Sequence, residues 1–230
     1  MSGWWPVRWK RVKVLPRFPR FQAGPDWSGL FVSKLMPTKA AKKSPAVQGT
    51  KGSLFLLLWM VSLAWLLECV DIFWPGGTWD RQLAILPRTW PALLNIFTSP
   101  FAHGNFAHLI SNTVPWLILG VLTYFGEKRK FLATTIWLIV ISGVGTWAIG
   151  RGALHLGASG LVYGYFGYVI GRAWFARKVA WILLALVAVV LFGSMIGGVI
   201  PTRGAISWEG HLAGLVGGFY LASRRRKEAS

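Results

Sequence analysis

Charge is scarce in this chain, and acid is scarcer still. Of 230 residues 14% are charged, and only seven are Asp or Glu. A soluble domain carries about 25% charged residues, so this composition does not supply a water-facing shell. There is one cysteine, Cys69, inside an apolar run, which excludes a disulfide framework and a cysteine-ligated metal cluster. No short apolar core with a small-residue cleavage site precedes residue 53, so no removable signal peptide is expected. What the chain has is apolar: 54% hydrophobic and 15% aromatic residues, with a mean hydropathy of +0.49. These numbers point to a membrane.

The formal charge of +18 invites a nucleic-acid reading, which requires basic residues gathered on a folded surface. Here they sit in a tail and in short connectors between apolar runs, so the expected partner is a lipid bilayer and not nucleic acid. Residues 1–50 carry Arg8, Lys10, Arg11, Lys13, Arg17, Arg20, Lys34, Lys39, Lys42 and Lys43 against one acid, Asp26, with tryptophans and phenylalanines interleaved and prolines breaking any helical period. This reads as a poorly ordered cytoplasmic tail able to lie on an anionic leaflet. Residues 51–223 form the membrane domain, and 224–230 a second basic tail.

Six apolar runs fall near 53–73, 105–125, 131–150, 159–174, 179–200 and 207–222. Most approach the roughly 20 residues needed to cross about 30 Å of hydrocarbon. Of the 25 basic residues, all but Arg81, Arg88, Arg151 and Arg203 lie at the two chain ends or in the connectors 127–130 and 172–178. The positive-inside rule then places both termini in the cytoplasm and requires an even number of spans; six satisfies it. The first external connector, 74–104, holds Trp74, Trp79, Trp90 and Phe101, so it is expected to lie in the interface or dip into the outer leaflet.

In this topology the second, fourth and sixth runs enter from the external face. They bring His108, Asn112, Ser159 and His211 to a similar depth, because the fourth run is short: a helix from Ser159 to Trp174 spans only about 22–24 Å. Polar groups inside a bilayer are costly and read as functional. Gly160, Gly164, Gly167 and Gly171 repeat along the fourth run, and Gly210, Gly214 and Gly218 along the sixth. Small residues at such spacings let backbones approach closely, which brings His211 toward Ser159. A serine hydroxyl needs an adjacent base, and an imidazole suits that role. Tetrahedral oxyanions need preorganised donors; the Ser159 amide at a helix start and the i, i+4 neighbours His108 and Asn112 are candidates. Tyr163, one turn after Ser159, is placed to pack on the imidazole. Glu209, two positions from His211, points elsewhere, so the expectation is a Ser-His dyad without a third member.

These residues resemble the rhomboid intramembrane serine proteases over roughly 95–220. The motifs are Phe97–Asn105 leading to His108 and Asn112, then Gly157-Ala158-Ser159-Gly160 with Tyr163, then Gly210-His211 followed by Gly214 and Gly218. The resemblance implies an all-α membrane protein, a rhomboid-like six-helix transmembrane bundle with a long membrane-dipping first external loop. It implies Ser159 as nucleophile, His211 as base, and His108 and Asn112 as the oxyanion group, with no metal and no cofactor. It implies substrates that are transmembrane or juxtamembrane segments of other membrane proteins, with a small side chain before the cut and a helix that unwinds easily. The expected location is a bacterial inner membrane, with the active site opening to the external side. The sequence departs from the family's pattern at Leu94-Asn95, where an arginine that helps pin the first loop is often found.

Three smaller expectations complete the reading. His103 orders the loop at the entrance of the second run, His155 is structural, and Glu127 makes a helix-end contact. Glu68 and Asp71 reach the interface without a role. Two rival classes stand beside the enzyme: a catalytically silent rhomboid-like protein that binds membrane clients, and a channel or transporter, which requires repeats and mid-membrane charge that the sequence lacks.

Overall fold

The computed structural model describes residues 49–226 except Pro75, Arg203 and Ala205. The basic tail expected over 1–50 lies outside the described residues, save Gly49 and Thr50, which already belong to the first helix; the last residues of the carboxyl-terminal tail also lie outside them. The described chain is mostly helical, with irregular connectors and, among the described residues, no strand pairing beyond an isolated antiparallel bridge between Ile85 and His155. Its helices are α1 (Gly49–Phe73), a short α2 (Trp79–Leu83), α3 (Phe106–Gly126), α4 (Phe131–Ile149), α5 (Ser159–Ala176), α6 (Val179–Phe192) and α7 (Trp208–Arg226). Short 3-10 turns cover Pro91–Ile96, Ser99–Phe101 and Gly193–Val199.

Five of the six expected apolar runs are helices within a few residues of their expected ends. Among the described residues, four stretches are long and apolar enough to cross a membrane: Gly52–Phe73, Phe106–Gly126, Phe131–Ile149 and Val179–Val199. The protein is an integral membrane protein. The fifth run departs from a single helix: it stops at Phe192 and continues as the 3-10 turn Gly193–Val199. Gly193, Gly197 and Gly198 each lower helix propensity, and carbonyls of this turn bind side chains of α5 and α7.

The middle of the bundle is α5, buried along most of its length from Leu161 to Arg172. Lipid tails are as apolar as leucine, so helices in a bilayer gain little by hiding apolar surface from it; close packing and hydrogen bonds must hold them together. The sequence supplies that closeness in glycine. A Cβ on Gly214 would lie 2.1 Å from the Gly160 carbonyl oxygen, and one on Gly218 2.1 Å from that of Gly164. α5 and α7 therefore touch backbone to backbone. The other side of α5 meets α4, where Tyr165 donates its hydroxyl proton to Thr135 Oγ1 at 2.7 Å and its ring stacks on Phe131. Trp65 Nε1 donates to Thr113 Oγ1 across α1 and α3 at 3.1 Å. At the other end of the bundle Arg172 and Glu127 form an ion pair at 3.3 Å, the helix-end contact expected of Glu127.

Glu68 does not reach an interface as expected. It is 1% exposed, buried under the connector that follows α1, while Asp71 accepts the Trp79 N–H at 2.7 Å.

Candidate active site

Ser159 opens α5, where the first amides have no partner within the helix. The chain reaches it through Gly157, whose φ of +106° lies in the left-handed region open chiefly to glycine. A Cβ at Gly157 would also lie 2.7 Å from Cε1 of His108, so space and backbone both demand glycine there. The entry is fixed from the first connector. Gly157 N–H donates to the Ser99 carbonyl at 2.9 Å, and Ala158 N–H to Nε2 of His103 at 3.4 Å.

His103 is fully buried, and its own N–H donates to Asp80 Oδ1 at 2.9 Å. Burial, with His108 close by, pushes its pKa down to about 4, so the ring is neutral near pH 7 and its Nε2 can accept. Burial and then the Asp71 carboxylate raise Asp80 to about 6, against the pull of the His103 N–H.

α3 starts at an Asn105 cap whose side chain accepts the His108 N–H at 2.9 Å. About two turns on, Asn112 is buried, and its Nδ2 donates to the His108 carbonyl at 2.9 Å. His211 comes from the first turn of α7 and is 8% exposed. Its ring stacks on that of Tyr163, with centroids 4.1 Å apart and planes 10° from parallel. Its Nδ1 lies 2.9 Å from the Gly198 carbonyl. A carbonyl only accepts, so this bond places the proton on Nδ1 and leaves the Nε2 lone pair available. Ser159, His211, His108, Asn112 and Tyr163 all line one cavity of about 600 Å³.

The chain matches the Rhomboid domain family over residues 91–227. It is 32% identical to an uncharacterised protein of Mycobacterium tuberculosis over 207 residues, covering 84% of this chain and 83% of that one. It is 25% identical to Bacillus subtilis YdcA, provisionally named a rhomboid protease, over 66% of this chain and 75% of that protein. It is also 33% identical over 43% of its length to a chloroplastic rhomboid-like protein of Arabidopsis thaliana, covering 37% of that protein.

The chain belongs to the rhomboid family.

The rhomboid motifs quoted from the sequence thus meet at one end of the bundle. Gly160 and Gly214 carry the α5–α7 contact beside them. Other assignments are structural. His155 lies 2.5 Å from Ser207 Oγ through Nδ1 and 3.1 Å from the Arg151 carbonyl through Nε2, so both ring nitrogens are occupied by partners that fix the chain around it. Glu209 is 2% exposed and accepts the Arg151 N–H at 3.2 Å, with the Arg151 guanidinium 3.7 Å away. Both contacts use Oε1; Oε2 is buried without a hydrogen-bond partner.

The first loop of this rhomboid is held by residues to which sequence reasoning gave no such role. Asn95, at the position where the family's arginine is absent, donates Nδ2 to the carbonyls of Gln82 at 2.7 Å and Ala84 at 2.8 Å. Arg88 donates Nη1 to the Gly150 carbonyl at 2.7 Å, and Trp147 Nε1 donates to the Thr89 carbonyl at 2.9 Å. The one available signal was Arg88, one of two arginines between Trp79 and Trp90 in the first connector. Arg151 does the same for the segment before α7, donating to the carbonyls of Thr202 and Ile206.

Proposed function

We propose that this protein is an intramembrane serine endopeptidase that cleaves transmembrane or juxtamembrane segments of other membrane proteins with a Ser159–His211 dyad. The observation that carries the reading is the shared cavity: a serine at a helix start, an imidazole with a free Nε2 lone pair, and two amide- or imidazole-bearing residues line one space. Family membership supports the reaction class.

Ser159 Oγ attacks the scissile carbonyl carbon while Nε2 of His211 takes the hydroxyl proton. The carbonyl oxygen becomes an oxyanion, held by the Ser159 backbone N–H with the His108 ring and the second Nδ2 hydrogen of Asn112. The tetrahedral adduct collapses, the C–N bond breaks, and the imidazolium returns its proton to the leaving amine. Water, deprotonated by the same imidazole, then cleaves the acyl-serine ester. In this reading both termini lie in the cytoplasm, six helices span the membrane and the site opens to the external side. Residues 51–223 are the catalytic domain, flanked by the basic tails 1–50 and 224–230.

The test is labelling of the purified full-length protein by a fluorophosphonate or isocoumarin. Wild type takes the label and Ser159→Ala does not. Equal labelling of Ser159→Ala removes Ser159 as nucleophile.

A further inference from the structure

The dyad leaves one question open: what orients the base. An imidazole that takes a proton on Nε2 works best when an acceptor on Nδ1 fixes its tautomer and plane. The acid nearest in sequence, Glu209, gives Oε1 to Arg151 and makes no hydrogen bond to the imidazole. The acceptor that His211 does have is a main-chain oxygen, that of Gly198, from a different helix end.

That oxygen sits in a turn with a second tie to the site. In Gly193–Val199, the Met195 carbonyl accepts the Tyr163 hydroxyl at 2.6 Å, and the Gly198 carbonyl accepts His211 Nδ1–H at 2.9 Å. The two stacked rings come from α5 and α7, and both are tethered to this one turn following α6. The sequence of the turn fits its closeness. A Cβ on Gly198 would lie 2.0 Å from the Tyr163 hydroxyl oxygen and 3.2 Å from His211 Nδ1, whereas one on the adjacent Gly197 would meet nothing within 4 Å. Glycine is needed at 198 because the backbone itself lies against the rings.

We propose that the Gly198 carbonyl is a positioning group for His211, standing where a carboxylate stands in a three-member relay, so that the base is competent only while the Gly193–Val199 turn is seated on Tyr163. The inference rests on His211 being the base. Being neutral, the carbonyl fixes the ring's tautomer and orientation without neutralising the imidazolium.

The experiment uses full-length protein in detergent, comparing wild type with Gly197→Ala and Gly198→Ala. The readouts are the rate of fluorophosphonate labelling and the ¹⁵N spectrum of labelled histidine, with the His211 signal assigned by its loss in His211→Ala. Expected are a His211 protonated on Nδ1 in wild type, and labelling by Gly197→Ala within about twofold of it. Gly198→Ala is expected to label about tenfold more slowly or worse, with His211 spread over both tautomers. Equal rates for the two alanine variants overturn the proposal, as does a slow Gly198→Ala whose His211 spectrum is unchanged. Should Gly198→Ala fail to fold, the wild-type spectrum still decides: a His211 protonated on Nε2 overturns the proposal. If His211→Ala labels at the wild-type rate, the dyad itself fails; if it does not and only the Gly198 results go the other way, the dyad stands and this inference falls.

Discussion

Tyr163 and His211 lie face to face, 4.1 Å between ring centroids and 10° from parallel, although 48 residues separate them in the chain. The contact joins α5 to α7 at the level of Ser159 and limits the imidazole to rotation in its own plane. Tyr163→Phe keeps the stack and loses the 2.6 Å bond to Met195, so its labelling rate is expected to fall only about two- to tenfold. Tyr163→Ala loses both and is expected to fall at least about tenfold further. Rates per folded protein, with folding checked by thermal melting, separate the two.

Asn112 carries the second oxyanion donor in the proposed mechanism. Asn112→Ala is expected to lower turnover about 10²–10³-fold while substrate affinity changes little, since the interaction forms in the transition state. A change confined to KM would instead assign Asn112 to ground-state binding.

The contact between α5 and α7 predicts an asymmetric response to alanine. At Gly214 a new Cβ meets the Gly160 carbonyl at 2.1 Å; at Gly152 it meets nothing within 4 Å. Gly214→Ala must push two backbones apart beside Ser159, at a cost of about 1–3 kcal/mol. Its melting temperature in detergent and its labelling should both drop, while Gly152→Ala behaves as wild type.

Asp80 gives a pH dependence with a definite sign. Its folded pKa of about 6 stands above the ordinary aspartate value of 3.8, through burial first and Asp71 second. A raised carboxylate favours folding at low pH, and that advantage is lost as pH rises from about 4 through 6. Asp80→Asn stays neutral and keeps an oxygen for the His103 N–H. The variant should therefore match wild type in thermal stability below pH 4 and exceed it above pH 6. His103, depressed to about 4, acts oppositely, its contribution fading as pH falls from 6.5 to 4. It is common to both proteins and cancels, while Glu68 and Asp71, the acids beside Asp80, are relieved of its charge in the variant, which adds to the gain at high pH. A gap that widens toward low pH would contradict this assignment.

The helices were legible because apolar runs of about 20 residues have few alternatives in a bilayer. The convergence of His108, Asn112, Ser159 and His211 followed from connector charges and the shortness of the fourth run. The break after Phe192 was passed over because the run stays uncharged as far as Ile200, although Gly193-Ser194 and Gly197-Gly198 are turn signals within it. The glycines weaken the helix there, and the bonds from Tyr163 and His211 to the Met195 and Gly198 carbonyls hold the turn that replaces it. The burial of Glu68 was missed for a related reason: what covers it is a connector whose fold depends on Arg88, Asn95 and Asp80, each bonded to backbone far away in sequence. Side-chain-to-main-chain bonds of this kind leave no periodic trace.

The most direct test of the account is cleavage itself. Purified wild-type protein is mixed with a reference transmembrane substrate whose helix is weakened by Gly and Pro, and the products are compared with those from Ser159→Ala and His211→Ala. The account predicts defined cleavage by wild type and a fall of at least about 10³-fold in each variant, with both variants folded. Cleavage by Ser159→Ala at the wild-type rate would contradict it.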